Sequence, residues 1–184
     1  MPFLYAICAA SGSGGMEVFM NDIPAVCIVS GQSDTGKTTF MEKLIQELVQ
    51  RGYEVGAVKS DTHGFDIDIP GKDSWRFAQA GAKSTTIIGP DKYAVIQRTE
   101  QKQEIEDVIP LIGGVDIILV EGYKASTRPR IEVIRKEKGT KIISPSEYLI
   151  AIVSDVEGLN TAVPVLDIND FQGVADILVK KYLE

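Results

Sequence analysis

An apolar run that ends in a glycine-rich loop, "IPAVCIVSGQSDTGKTTF" over residues 23–40, constrains this chain more than any other feature. Gly31, Gly36, Lys37 and Thr38 fit G-x-x-x-x-G-K-[ST], the signature of a phosphate-binding loop. The uninterrupted apolar stretch before it predicts a central parallel strand buried on both faces. After the loop, Phe40, Leu44 and Leu48 recur every four residues, as do Met41, Ile45 and Val49, which predicts a helix with a broad apolar face. Gly52 supplies its stop, and "YEVGAVKS" predicts a second strand. Strand, glycine loop, helix and strand form the context in which the motif works as a site.

A polar stretch, "DTHGFDIDIPGK", leads to a predicted helix for which Asp73 is the expected N-cap. "STTIIG" and "YAVIQRT" flank "PDK" and predict an antiparallel hairpin added to the parallel sheet. Residues 103–112 are a candidate helix, and "VDIILVEG" is a short apolar strand ending in a carboxylate. "IEVIR", "YLIAIVSD" and "VPVLDI" follow as strands, and a helix from Asp170 to Tyr182 turns Val174, Ile177 and Leu178 inward. Strands alternating with helices predict an α/β fold: a P-loop NTPase three-layer sandwich, with a mostly parallel sheet and an antiparallel hairpin.

With 184 residues, 44% of them hydrophobic and 24% charged, the chain suits one globular domain, placed at residues 21–184. The formal net charge of -7 argues against sequence-independent binding to nucleic acid, which needs a basic surface. Cys8 and Cys27 lack metal-type spacing, and Cys27 is expected to be a buried strand residue. The first 20 residues differ in character: a short apolar patch, a Ser/Gly-rich stretch and further methionines at Met16 and Met20. A secretory signal lacks its basic start here, so an upstream start site or a cloning-derived extension is the expectation. No run approaches the roughly 18 apolar residues of a spanning helix, so no membrane contact and a cytoplasmic location are expected.

In the loop, Gly31 and Gly36 let successive N–H groups point at phosphate oxygens, and Thr35 and Thr39 complete the cradle. Lys37 is expected to reach the β/γ-phosphates and Thr38 to offer its hydroxyl to Mg²⁺. Such an ion also needs a carboxylate at a neighbouring strand end, and Glu121 is the best placed. Lys59, Asp61, His63, Asp66 and Asp68 gather after the second strand. Asp61 is the first choice for a second, water-mediated magnesium contact or for orienting an attacking water. His63, the only histidine, is either catalytic or simply solvated. Asp155 either reads a guanine base through its N1–H and N2–H or is an ordinary strand-terminal acid; the usual Asn-Lys before it is absent. Lys124, Arg128 and Arg130 form a basic cluster suited to a phosphorylated ligand, a partner or solvent, and either arginine is a candidate to serve across a dimer interface.

"GQSDTGKTT", "VKSDTHGFDIDIPGKDSWRFAQAGA", "ILVEGYK" and "RPRIEVIR" stand in the order and spacing of the MobB family, the molybdopterin-guanine dinucleotide biosynthesis adapter proteins, which the chain resembles from about residue 23 onward. Ser60 departs from that pattern, standing where a histidine is common. The resemblance implies a dimeric P-loop protein that binds GTP with Mg²⁺ and hydrolyses it weakly at most. It also implies a role beside the guanylyltransferase MobA when GMP is attached to molybdopterin. The alternative from the residues alone is a P-loop small-molecule kinase using ATP, with Asp61 as base. No arginine-rich lid segment is evident for it, apart from "RIEVIRKEK".

Overall fold

A computed structural model describes residues 23–61 and 64–184; the expectations for the first 20 residues and for His63 lie outside the described residues. In chain order the elements are β1 (Ala25–Val29), α1 (Lys37–Gln50), β2 (Val55–Lys59), α2 (Asp73–Gln79), β3 (Ser84–Ile88), β4 (Tyr93–Gln97), α3 (Ile105–Val108), β5 (Ile117–Glu121), β6 (Arg130–Ile134), β7 (Leu149–Ser154), β8 (Val165–Asp167) and α4 (Phe171–Tyr182). They divide into two compact units: the chain up to Ser60 together with Ile105–Glu184, and Asp61–Glu104.

In the first unit the strands form one parallel six-stranded sheet in the order β2-β5-β1-β6-β7-β8. Every residue of β1 is buried, as its apolar run predicts. Its period-two alternation sends Val26 and Ile28 into a core with Phe40, Met41, Leu44 and Leu48 of α1 and Val174, Ala175 and Leu178 of α4. Ala25, Cys27 and Val29 face the other way, toward Ile105 of α3 and Ile109. Helices thus cover both faces of the sheet, the three-layer α/β arrangement expected. Cys27 is fully buried and free.

The predicted helix over 103–112 is broken: α3 stops at Val108 and a 3₁₀ turn, Ile109–Leu111, follows. Pro110 has no N–H to donate to the preceding turn. Asp170, where the sequence starts the last helix, is its N-cap, its carboxylate accepting the Gly173 N–H at 2.9 Å.

The second unit holds α2 and the β3–β4 hairpin, whose antiparallel register runs from Ser84↔Gln97 to Ile88↔Tyr93. This corrects one expectation: the hairpin is a separate two-stranded sheet and joins no strand of the parallel sheet. Asp73 is the first helical residue of α2 rather than its cap; Lys72 takes the cap position and makes no side-chain cap bond. Asp73 instead meets Arg76 one turn on, at 3.4 Å.

Leu44 projects from α1 into the core and is fully buried. Leu44→Ala is expected to lower unfolding free energy by about 2–5 kcal/mol, through lost burial plus a cavity. Urea titration of the two proteins checks this.

Candidate functional site

Three parallel strands deliver the site to one edge. In register, Ile28 of β1 and Lys59 of β2 both flank Glu121 of β5, so the carboxyl ends of all three strands meet where the loop begins. Ligands bind at such an edge in open α/β sheets.

The loop turns into α1 at Gly36, whose φ of 83° is a left-handed conformation that a side chain strains. No side-chain cap bond closes the start of α1, and its first turn carries no acidic residue. The helix N-terminus is therefore polarised to receive an anion. The Lys37 ammonium donates to Ser30 Oγ at 2.9 Å and to the Gln32 carbonyl at 3.5 Å. Partial burial pulls the Lys37 pKa below the ordinary ammonium value; Glu121 opposes the shift, and nearby Lys124 adds to it.

Thr38 and Glu121, which the sequence pairs only as candidates, are in contact: the Thr38 hydroxyl donates to Glu121 Oε1 at 2.8 Å. Lys59 Nζ lies 4.0 Å from the same oxygen. Among the described residues, no group of three or more acidic, histidine or cysteine side chains is placed to hold a metal. One hydroxyl and one carboxylate are instead the protein share that Mg²⁺ takes when phosphates and water fill its other positions, so the residues fit that ion. Thr38 and Glu121 would hold it, and it would supply positive charge to neutralise a bound polyphosphate.

Asp61 is exposed and is the first residue of the second unit. Asp155, at the end of β7, is already engaged. Its Oδ1 accepts the Lys136 N–H at 2.7 Å and its Oδ2 lies 3.6 Å from Arg135 Nη1. The Lys136 N–H, followed by Arg135, holds its carboxyl below the usual carboxylate pKa.

Sequence reasoning missed the role of Arg135. Its Nε donates to the Thr35 carbonyl at 3.3 Å, and a side chain at Gly36 would start 3.5 Å from its Nη2. Arg135 thus ties the far bend of the loop to Asp155. Glu132 was missed too. It is fully buried in β6, and its two oxygens accept the Ile143 and Ser144 N–H groups at 2.9 Å each, which satisfies a charge that would otherwise be costly. An apolar strand pattern gives no signal for such a residue.

The basic cluster separates. Arg128 pairs with Glu106 at 3.1 Å. Arg130 is buried, donates to the Lys124 and Ser126 carbonyls, and lies over the Tyr148 ring. It is therefore a structural residue of this fold rather than an arginine offered to a partner. Lys124 alone reaches the loop, donating to the Gly31 carbonyl at 3.1 Å.

The sequence model of the MobB family, described as molybdopterin guanine dinucleotide synthesis protein B, matches residues 25–155. The molybdopterin-guanine dinucleotide biosynthesis adapter protein of Escherichia coli (strain K12) is 36% identical over 159 residues, 80% of this chain and 87% of that protein. Its namesake from Haemophilus influenzae is 31% identical over 163 residues, 88% of this chain and 91% of that one. A crystal structure of molybdopterin-guanine biosynthesis protein B superposes with a TM-score of 0.68 at 23% identity, covering 87% of this chain and 99% of that chain. A Bacillus subtilis MobB crystal structure gives 0.66 at 25% identity, covering 86% and 98%.

Because the folded Asp155 pKa lies below its ordinary value of about 3.9, its contribution to stability is complete above that value and is lost as pH falls through the folded value. Asp155→Asn is therefore expected to melt below the wild type at pH 7, with the gap closing as the pH is lowered through that range. Calorimetric scans of both proteins across the acid range check this. A gap that stays constant with pH would assign the loss to something other than the carboxylate.

Proposed function

The chain belongs to the MobB family, and we propose that within molybdopterin-guanine dinucleotide biosynthesis it acts as a GTP·Mg²⁺-binding adapter with weak GTPase activity at most. The observation that carries this reading is the 2.8 Å contact between Thr38 of the loop and Glu121 of β5, beside an intact Lys37. Those groups suit the phosphates and ion of a nucleoside triphosphate. Guanine as the base rests on the family, with Asp155 as the acceptor for its N–H groups. Asp61 is kept as the candidate to orient a water or hold a magnesium-bound one.

Slow turnover is supported by what Arg128 and Arg130, the two arginines proposed to serve catalysis, do instead. Rapid hydrolysis in this enzyme class takes a cation at the γ-phosphate, and an arginine finger adds about 10³- to 10⁵-fold. Arg128 is committed to Glu106, and Arg130 to loop carbonyls. An adapter that holds its triphosphate has no need of more. The partner is proposed to be the guanylyltransferase MobA, with molybdopterin as the molecule that receives GMP, and the location is proposed to be the cytoplasm. No helix among the described residues is long and apolar enough to cross a membrane.

The second unit supports a homodimer. A two-stranded sheet is marginal by itself. This one leaves Ile88 82% exposed and Tyr93 62% exposed, and Phe65, Ile67, Ile69 and Phe77 of the same unit are also open to solvent. An apolar surface of this kind marks an interface, here assigned to a second copy of the chain.

Equilibrium binding of labelled GTP, GDP and ATP, with and without Mg²⁺, tests the nucleotide. GTP is expected to bind in a magnesium-dependent way, and Lys37→Ala to weaken it by roughly 10- to 100-fold, the loss of charge-assisted hydrogen bonds to phosphate. A preference for ATP would instead favour the kinase reading. Light scattering tests the assembly: the wild type is expected at twice the monomer mass and Ile88→Asp at the monomer mass, while an unchanged mass would remove the hairpin from the interface.

A further inference from the structure

The turn after β5 is built to return one side chain to the phosphate loop. Gly122 and Tyr123 are consecutive left-handed residues, with φ of 84° and 61°. Glycine adopts that conformation freely, but tyrosine does so only under constraint from its surroundings. Tyr123 is constrained: its ring packs against the core formed by Ala25, Cys27, Val29 and Ile105, and its phenolic oxygen accepts the Ile105 N–H at 3.3 Å.

The next residue, Lys124, is held from behind. Arg130, 3% exposed, donates to the Lys124 carbonyl at 3.0 Å and to the Ser126 carbonyl. A buried guanidinium spent on carbonyls is a costly brace for one loop. Lys124 itself is exposed and sends its ammonium to the Gly31 carbonyl at 3.1 Å.

That carbonyl lies at the end of the loop used by Lys37, whose ammonium contacts Ser30 and Gln32 on either side of Gly31. Lys59 stands 4.0 Å from Glu121 at the same sheet edge. Three ammonium groups therefore stand around the loop, Lys37 and Lys59 near Glu121 and Lys124 at Gly31 within the field of Lys37, where loop chemistry puts the β- and γ-phosphates. A diphosphate occupies Lys37; the additional charge matches an additional phosphate.

Resting on the nucleotide-binding reading above, we propose that Lys124 selects the triphosphate. Its ammonium leaves the Gly31 carbonyl for the terminal phosphate, so the chain distinguishes GTP from GDP with its own lysine. Gly31 is the resting acceptor, and the exposed contact is broken at little cost once a charged oxygen is offered.

Titration calorimetry of the full chain with GTPγS and with GDP, both in Mg²⁺, tests this on wild type, Lys124→Met and Lys124→Arg. The methionine variant is expected to lose at least about tenfold in GTPγS affinity and less than about twofold in GDP affinity, with arginine restoring most of the loss. Equal losses for both nucleotides would make Lys124 a strut of the loop, and no loss for either would leave it without a role in binding; each overturns the proposal. A wild type that binds neither nucleotide would overturn the nucleotide-binding reading itself, an outcome distinct from failure of the lysine alone.

Discussion

The burial of β1 on both faces, between β5 and β6, is the constraint from which the site follows. A strand covered above and below and paired on both sides has its carboxyl end fixed in direction and height. The loop must leave from that point, and α1 must return across the face that Val26 and Ile28 present. The neighbours of β1 then contribute whatever their own carboxyl ends carry. β5 brings Glu121 to Thr38, and β6 brings Arg135 to Thr35. The helix end of the loop is therefore held from two different strands, at Thr38 and at Thr35.

The charges around this frame divide by burial. Glu132 and Arg130 lie inside and are spent on backbone groups, so each sets the course of a loop. Lys37, Lys59 and Lys124 keep ammonium groups at the edge, with Glu121 among them. A chain with a formal charge of -7 thus gathers positive charge locally at the place where an anion has to dock.

The loop, the β1–α1–β2 segment and the strand ending in Glu121 were legible in the sequence because their signals are local: an apolar run, a four-residue recurrence and a glycine motif. The burial of Cys27 was legible for the same reason. The rest of the site depends on which strands become neighbours. Arg135 closes a sequence separation of 100 residues to reach Thr35, and no periodicity announces that β6 lies beside β1. Lys124 was visible as a basic residue, but its reach to Gly31 depends on the left-handed Tyr123, a conformation that tyrosine does not signal. The hairpin's existence was legible from its alternating runs, whereas its separation from the parallel sheet was not, because strand pairing is a tertiary choice.

The strand order has a consequence for the birth of the molecule. β1 and β2 are made early, yet neither pairs with the other; both pair with β5, which emerges only after the whole of Asp61–Glu104. At about 5–20 residues per second, a ribosome therefore holds the finished phosphate loop for several seconds before the strand that carries Glu121 exists. During that interval the wholly apolar β1 has neither of its hydrogen-bonding neighbours, β5 and β6, and the long-range closure that follows is of the slow kind. The same topology that gathers distant residues at one edge makes the nascent chain a client for whatever shields an unpaired strand during synthesis.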